Sequence, residues 1–99
     1  MALLLGIDIG AQSLKVGMMG GEGTLRVLEQ VPYSIQRPHR GWAEEDPEVW
    51  WDSFCRAVKT PMERNAVPPD QIESIGISTT CPALVAMDDC GNPLRPAIL

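Results

Sequence analysis

Positive charge is scarce in this sequence: eight Lys and Arg stand against thirteen Asp and Glu, for a formal charge of −5. Binding a nucleic-acid backbone calls for a basic face, so the balance speaks against a nucleic-acid partner. Histidine is scarcer still. The single one, His39, sits in PHRGW without a matched carboxylate or serine and reads as a surface residue, not a catalytic base. Its neighbours Arg37 and Arg40 read as solvated. The cysteines, Cys55, Cys81 and Cys90, are odd in number and lack a CxxC spacing. That excludes a disulfide scaffold and a zinc ribbon and leaves reduced thiols, the state the cytoplasm maintains. No apolar run approaches the about 20 residues of a membrane span, which speaks against a membrane role. The opening MALLLGID has no basic n-region, and Asp8 cuts its apolar run short, unlike a secretory leader.

What is present fits one small domain of 99 residues with no internal repeat. A chain of this size buries only about 60–65% of its unfolded surface, so its core is modest. LLLGIDI (3–9) predicts a buried strand that carries a single acid, Asp8, near its end. Burying a lone carboxylate without a partner costs several kcal/mol, so this Asp calls for an explanation. A second strand is predicted over 14–19 and a third over 24–31, with Gly20, Gly21 and Gly23 turning the chain between them. Three strands joined by short polar turns form an antiparallel meander.

Residues 32–46 read as an extended connection punctuated by Pro32, Pro38 and Gly41. Asp46-Pro47-Glu48 is a helix start: Asp46 caps free N–H groups, Pro47 fits the first turn and Glu48 suits the dipole. The run Glu44-Glu45-Asp46 reads as a solvated lead-in to that helix and not as a paired-carboxylate hydrolytic site. Val49, Trp50, Phe54 and Val58 recur at helical spacing and predict the buried stripe. Pro61 is expected to end or kink the helix, and Asp70 to cap a short turn before a fourth strand over 72–78. A strand reached through a helix suits parallel pairing with the first. A fifth short strand is predicted over 84–87, then a turn at DDCGN (88–92). The chain is again apolar from Leu94 to Leu99. An apolar ending on an unfinished sheet topology predicts the front piece of a longer protein, the alternative being a complete small domain with a frayed tail.

GIDIGAQSLKV, GWAEEDPEVWWDSF, and IESIGIST with VAMDDCGNPLRPAIL, in that order, resemble the opening of the FGGY carbohydrate kinases, the xylulokinase-like branch in particular. The likeness runs over essentially the whole chain. It implies an α/β fold of the ribonuclease H-like/actin-like ATPase type, here the first part of the first domain. The implied sheet is mixed: an antiparallel meander, a helix and a parallel strand, in the order third, second, first, fourth. It also implies a soluble phosphotransferase. Such an enzyme uses ATP and Mg²⁺ to phosphorylate a hydroxyl of a small sugar or polyol, pentulose-like by this branch, in a cleft between two domains. Homo-oligomers are compatible with it. The catalytic base, an aspartate in the family, is expected beyond Leu99, so no catalytic residue is assigned within the chain.

On this resemblance Asp8 is the candidate Mg²⁺ ligand, held directly or through water, since Mg²⁺ keeps much of its hydration. The alternative is an Asp that caps the following turn. Gly10, Gln12 and Ser13 are the candidate phosphate-binding residues, in a small-residue turn whose backbone N–H groups can cradle phosphate oxygens. Ala11 stands where the family commonly has a threonine. Lys15 is expected either to reach phosphate or neutralise Asp8, or else to be an ordinary solvated lysine on an edge face. Thr80, Cys81 and Pro82 fall where relatives carry the sugar-touching Gln-Met-His, although Pro82 cannot offer the hydrogen bonds of a histidine; the alternative is a structural strand-to-loop turn. Trp42, Trp50 and Trp51 read as packing anchors, with Trp51 left open as a sugar-stacking ring. A contrasting reading is a truncated non-catalytic pseudo-kinase or a regulatory or binding domain of the same fold.

Overall fold

Side chains alternate across a strand, and that alternation decides which face of this sheet closes. The computed structural model describes residues 2–99. In it, β1 (Leu3–Ile9) buries Leu3, Leu5 and Ile7 and turns Leu4, Gly6 and Asp8 outward. β2 (Ser13–Gly20) buries Leu14, Val16 and Met18 on the same side and turns Lys15 and Met19 outward. The first strand is therefore half-buried, not buried throughout, because only one face of it meets the core. Asp8 lies on the open face and is exposed. No desolvation penalty has to be offset there.

β3 (Leu25–Pro32) pairs antiparallel with β2, with Ser13 opposite Pro32 and Leu14 opposite Val31. The connection that follows includes a two-residue strand, β4 (Glu44–Glu45), and leads into α1 (Pro47–Arg64). Asp46 caps the helix as its sequence predicts: its Oδ1 accepts the Glu48 N–H at 3.0 Å, and Pro47 fills the first turn. A turn of 3₁₀ helix at Pro69–Gln71 then delivers β5 (Ile72–Thr79), parallel to β1. The sheet order is β3-β2-β1-β5, the mixed arrangement expected.

Four expectations about α1 and its surroundings are corrected. The buried helix face is Ser53, Ala57 and Pro61, while Trp50, Phe54 and Val58 flank it half-buried and Val49 is exposed. Small residues at fourfold spacing let the helix sit close to the sheet, so the larger apolar side chains splay to its edge. Pro61 does not end the helix, which runs on to Arg64; its ring is fully buried and its carbonyl accepts Asn65 N–H and Nδ2 at 3.0 and 2.8 Å. Near a helix end, one missing N–H is a small loss against that burial. Asp70 makes no capping hydrogen bond, because it lies inside a turn whose start is set by Pro68 and Pro69. Of the tryptophans only Trp50 acts as an anchor. Trp42 and Trp51 are 49% and 60% exposed, the first edge-on to His39 and the second stacked on Phe54.

The C-terminal stretch builds a small separate ladder. Residues 84–87 make only isolated bridges, Leu84 with Ile98 and Met87 with Pro93, and are not a further strand of the sheet. Instead β6 (Ala97–Ile98) pairs antiparallel with β4. Residues 88–92 form the expected turn: Asp88 Oδ1 accepts the N–H groups of Cys90 and Asn92, both at 2.9 Å. The Asn92 backbone and side-chain hydrogen bonds hold the Asp88 carboxyl below its usual range. The β4–β6 ladder also overturns the reading of Glu44-Glu45 as fully solvated. Glu45 is only 3% exposed, its Oε2 accepts Trp50 Nε1–H at 2.8 Å, and its Oε1 has no partner. Glu44 pairs with Arg95.

Two stability predictions follow from this packing. Met18 is fully buried, so Met18→Ala should lower unfolding stability by about 2–5 kcal/mol in urea titration. Burial raises the Glu45 carboxyl above its ordinary 4.5, opposed by the Trp50 hydrogen bond. A raised carboxyl means that ionised Glu45 weakens the fold at neutral pH and that protonation relieves this. Glu45→Gln keeps an oxygen for Trp50 and removes the orphaned charge, and should stabilise by about 1 kcal/mol at pH 7. That margin should shrink as the pH falls through the raised Glu45 range; a margin that grows on acidification would refute the account.

Candidate functional site

Parallel strands bring their carboxyl ends to one edge of a sheet, and ligands of α/β proteins gather there. Asp8 sits one residue from the end of β1, directly opposite Lys15 on β2 and Ser78 on β5. Beyond β5, the Thr80 N–H donates to the Ile9 carbonyl at 2.7 Å and carries the pairing one residue further. The fold thus gathers Asp8, the Gly10–Ser13 turn, Lys15 and Thr80 at one edge. Thr80 is half-buried, while Cys81 and Pro82 follow it into solvent.

Asp8 makes no ion pair among the described residues. The three ion pairs found there, Arg26–Glu22, Arg64–Glu29 and Arg95–Glu44, lie elsewhere, and Lys15 does not close on Asp8 despite facing it. The described residues hold no group of three His, Cys, Asp or Glu arranged for a metal. Asp8 therefore offers a single free carboxylate, on an open face, at the strand end.

The turn is organised from behind. The Gly10 N–H donates to the Ser13 carbonyl at 2.9 Å, so it is engaged inside the turn. Glycine is required by that closeness: a Cβ at Gly10 would stand 3.0 Å from the Ser13 oxygen. The Gly10 carbonyl accepts the Tyr33 hydroxyl at 2.5 Å, and the Gln12 carbonyl accepts the Tyr33 N–H at 3.0 Å. Gln30 Nε2–H donates to Ser13 Oγ at 3.2 Å, leaving the serine proton free for another acceptor. The N–H groups of Ala11 and Gln12 have no acceptor among the described residues.

Tyr33 and Gln30 are site residues that sequence reading passed over. The signal lay in the hairpin register: pairing Ser13 with Pro32 puts Tyr33 beside Gln12 and Gln30 opposite Lys15. Counting that register needs the turn at Gly20–Gly23 and a shift between Met18 and Met19, and no local pattern announces the shift. Burial, then the charges of Glu45 and Asp8, push the Tyr33 hydroxyl up to about 12, so it remains a donor at neutral pH.

A large concavity lies away from this chemistry. A trough of about 900 Å³ runs between α1 and β5, with Leu5, Phe54, Val58, Met62, Ile72 and Ile75 in its walls. A second apolar hollow lined by Ile7, Ile9, Trp50, Trp51, Phe54 and Ile77 adjoins it. The walls are mainly apolar, with Lys59 and Glu63 the charged residues among them, and none of the polar residues gathered around Asp8 lines either hollow.

Comparison with known proteins agrees with this geometry. The family described as "FGGY family of carbohydrate kinases, N-terminal domain" matches residues 3–99. A xylulose kinase of Staphylococcus xylosus is 34% identical over 99 residues, covering 100% of this chain and 20% of that protein. A glycerol kinase of Thermococcus gammatolerans is 34% identical over 96 residues, covering 97% and 20%. Among solved structures, the xylulose kinase from Rhodospirillum rubrum superposes with a TM-score of 0.81 at 35% identity, covering 97% of this chain and 20% of that one. The kinase from Brucella ovis gives 0.92 at 26% identity, covering 98% and 20%. The chain spans about one fifth of the length of these relatives. The mixed sheet, its helix crossover and these neighbours are those of the ribonuclease H-like/actin-like ATPase fold, and the chain belongs to the FGGY family of carbohydrate kinases.

Proposed function

We propose that these 99 residues are the N-terminal part of an ATP-dependent carbohydrate kinase, which transfers the γ-phosphate of ATP to a hydroxyl of a small sugar or polyol. The observation that carries the reading is the pairing of one free carboxylate, Asp8, with a turn whose Ala11 and Gln12 N–H groups are unengaged. Phosphoryl transfer asks a protein chiefly for positioning and charge neutralisation. Unengaged N–H groups and a serine hydroxyl free to donate suit phosphate oxygens, and Lys15 adds a cation on the same face. Asp8 suits Mg²⁺, which binds through one or two carboxylates together with substrate phosphates and water. Bound there, Mg²⁺ supplies neutralisation of phosphate charge.

Thr80, Cys81 and Pro82 are the proposed sugar wall, since they leave the same sheet edge beside Asp8. Relatives named for xylulose and for glycerol support a small polyhydroxylated acceptor, with a pentulose the first candidate. The base that takes the acceptor's proton is proposed to lie in sequence beyond Leu99, and the cytoplasm to be the compartment of the reaction. Two residues favour the contrasting reading of a non-catalytic relative: Ala11 has no hydroxyl to offer phosphate, and Pro82 has no side-chain donor to offer sugar. The free carboxylate of Asp8 weighs more, because it has no ion-pair partner among the described residues that would otherwise account for it.

In the full-length protein, Asp8→Ala should lower kcat for sugar phosphorylation on the order of 10²-fold, by analogy with removal of one transition-state-stabilising group. Its melting temperature should hardly move, because Asp8 is exposed and unpaired. Unchanged turnover in a coupled ADP-release assay would overturn the assignment. The 99-residue chain alone should release no sugar-dependent ADP in that assay, and release above background would contradict the proposed division of the site.

A further inference from the structure

We propose that Tyr33 is the positioning residue of the Gly10–Ser13 turn, gripping two of its carbonyls so that its N–H edge faces a phosphate group. The inference rests on the reading of that turn as phosphate-binding and adds a residue to it.

Tyr33 follows the last residue of β3 and is half-buried against the core cluster, so its ring has a fixed seat. From there it reaches the turn twice. Its backbone N–H donates to the Gln12 carbonyl at 3.0 Å, and its hydroxyl donates to the Gly10 carbonyl at 2.5 Å. A peptide unit is planar and trans, so its C=O and the following N–H point in opposite directions. Holding the Gly10 carbonyl therefore aims the Ala11 N–H away from Tyr33. Holding the Gln12 carbonyl turns the Ser13 N–H toward the β1 side, where the Ser13 carbonyl already accepts the Gly10 N–H, and so fixes the exit of the turn. A two-residue loop of Ala11 and Gln12 has no proline or bulky side chain to set those planes by itself.

The hydroxyl suits this task in a second way. Burial, and then the charges of Glu45 and Asp8, push it up to about 12, so it stays a donor well above the neutral range in which any tyrosine is protonated. A donor fastened to the carbonyl side of the turn also occupies the acceptors that would repel a phosphate. Gln30 acts in parallel on the serine side chain, by donating to Ser13 Oγ.

Tyr33→Phe in the full-length kinase keeps the ring and the backbone N–H and removes only the hydroxyl. ADP affinity by calorimetry, KM for ATP, KM for the sugar and melting temperature are the four readouts. The expected result is ADP affinity weakened and KM for ATP raised about 3- to 10-fold, the size of one net hydrogen bond, with KM for the sugar unchanged. Ser13→Ala serves as the comparison inside the turn. If Ser13→Ala weakens ADP binding while Tyr33→Phe leaves it at the wild-type value, the positioning role is overturned and the turn's function stands. A Tyr33→Phe effect confined to the melting temperature likewise overturns it, leaving Tyr33 a packing residue. If the wild-type protein binds no ADP, the reading of the turn itself fails, and the role of Tyr33 with it.

Discussion

The burial of Leu14, Val16 and Met18 beneath Ser53, Ala57 and Pro61 is the contact on which the rest of this structure depends. It fixes which face of β2 is inside, and a strand with one face fixed has its register fixed too, since a slip of one residue would reverse every side chain. With β2 locked, β1 must present Leu5 and Ile7 to the core and Asp8 to the other side. The same contact seats α1 close enough to the sheet to return the chain beside β1 in the parallel sense. Once β1 and β5 run together, their ends and the β1–β2 turn share one edge. The polar residues of the site occupy positions that the core left to them.

Coverage on the helix side is uneven. α1 packs over β2 and β3, while the part of the sheet made by β1 and β5 faces the apolar trough, and Ile75 and Ile77 are 56% and 65% exposed. Across the opposite face, Gly6, Gly17 and Gly76 fall in line on adjacent strands and leave a band without side chains above Asp8, Lys15 and Ser78. Among the described residues, the buried Glu45, with one oxygen satisfied by Trp50 and one not, is the single place where a charge is enclosed at a cost to stability.

Much of the fold was legible because its signals are local. The first three strands follow from apolar runs broken by glycines, and the helix start from Asp46-Pro47-Glu48. The turn at 88–92 follows from an Asp and a Gly at the spacing an Asx-type turn needs. The corrections at Glu45 and at the helix face share a cause: residue type suggests one role, and a partner distant in sequence decides another. Ala97 and Ile98 lie about fifty residues from the glutamates they cover. The small helix face, Ser53 with Ala57 and Pro61, is invisible to a search for large apolar residues because closeness of approach, not side-chain size, selects it.

The sequence by itself determined the composition of the site: a lone acid at a strand end, a small-residue turn after it, and a lysine two residues past that turn. It also determined the element order, since strand, turn and cap signals act over a few residues. Only the tertiary structure decided that Asp8 is exposed and unpaired, that Lys15 faces it without closing on it, and that Tyr33 and Gln30 hold the turn. Those outcomes depend on strand register and on which face the helix covers. Both are set by the summed burial of residues far apart in the chain, which no local stretch encodes.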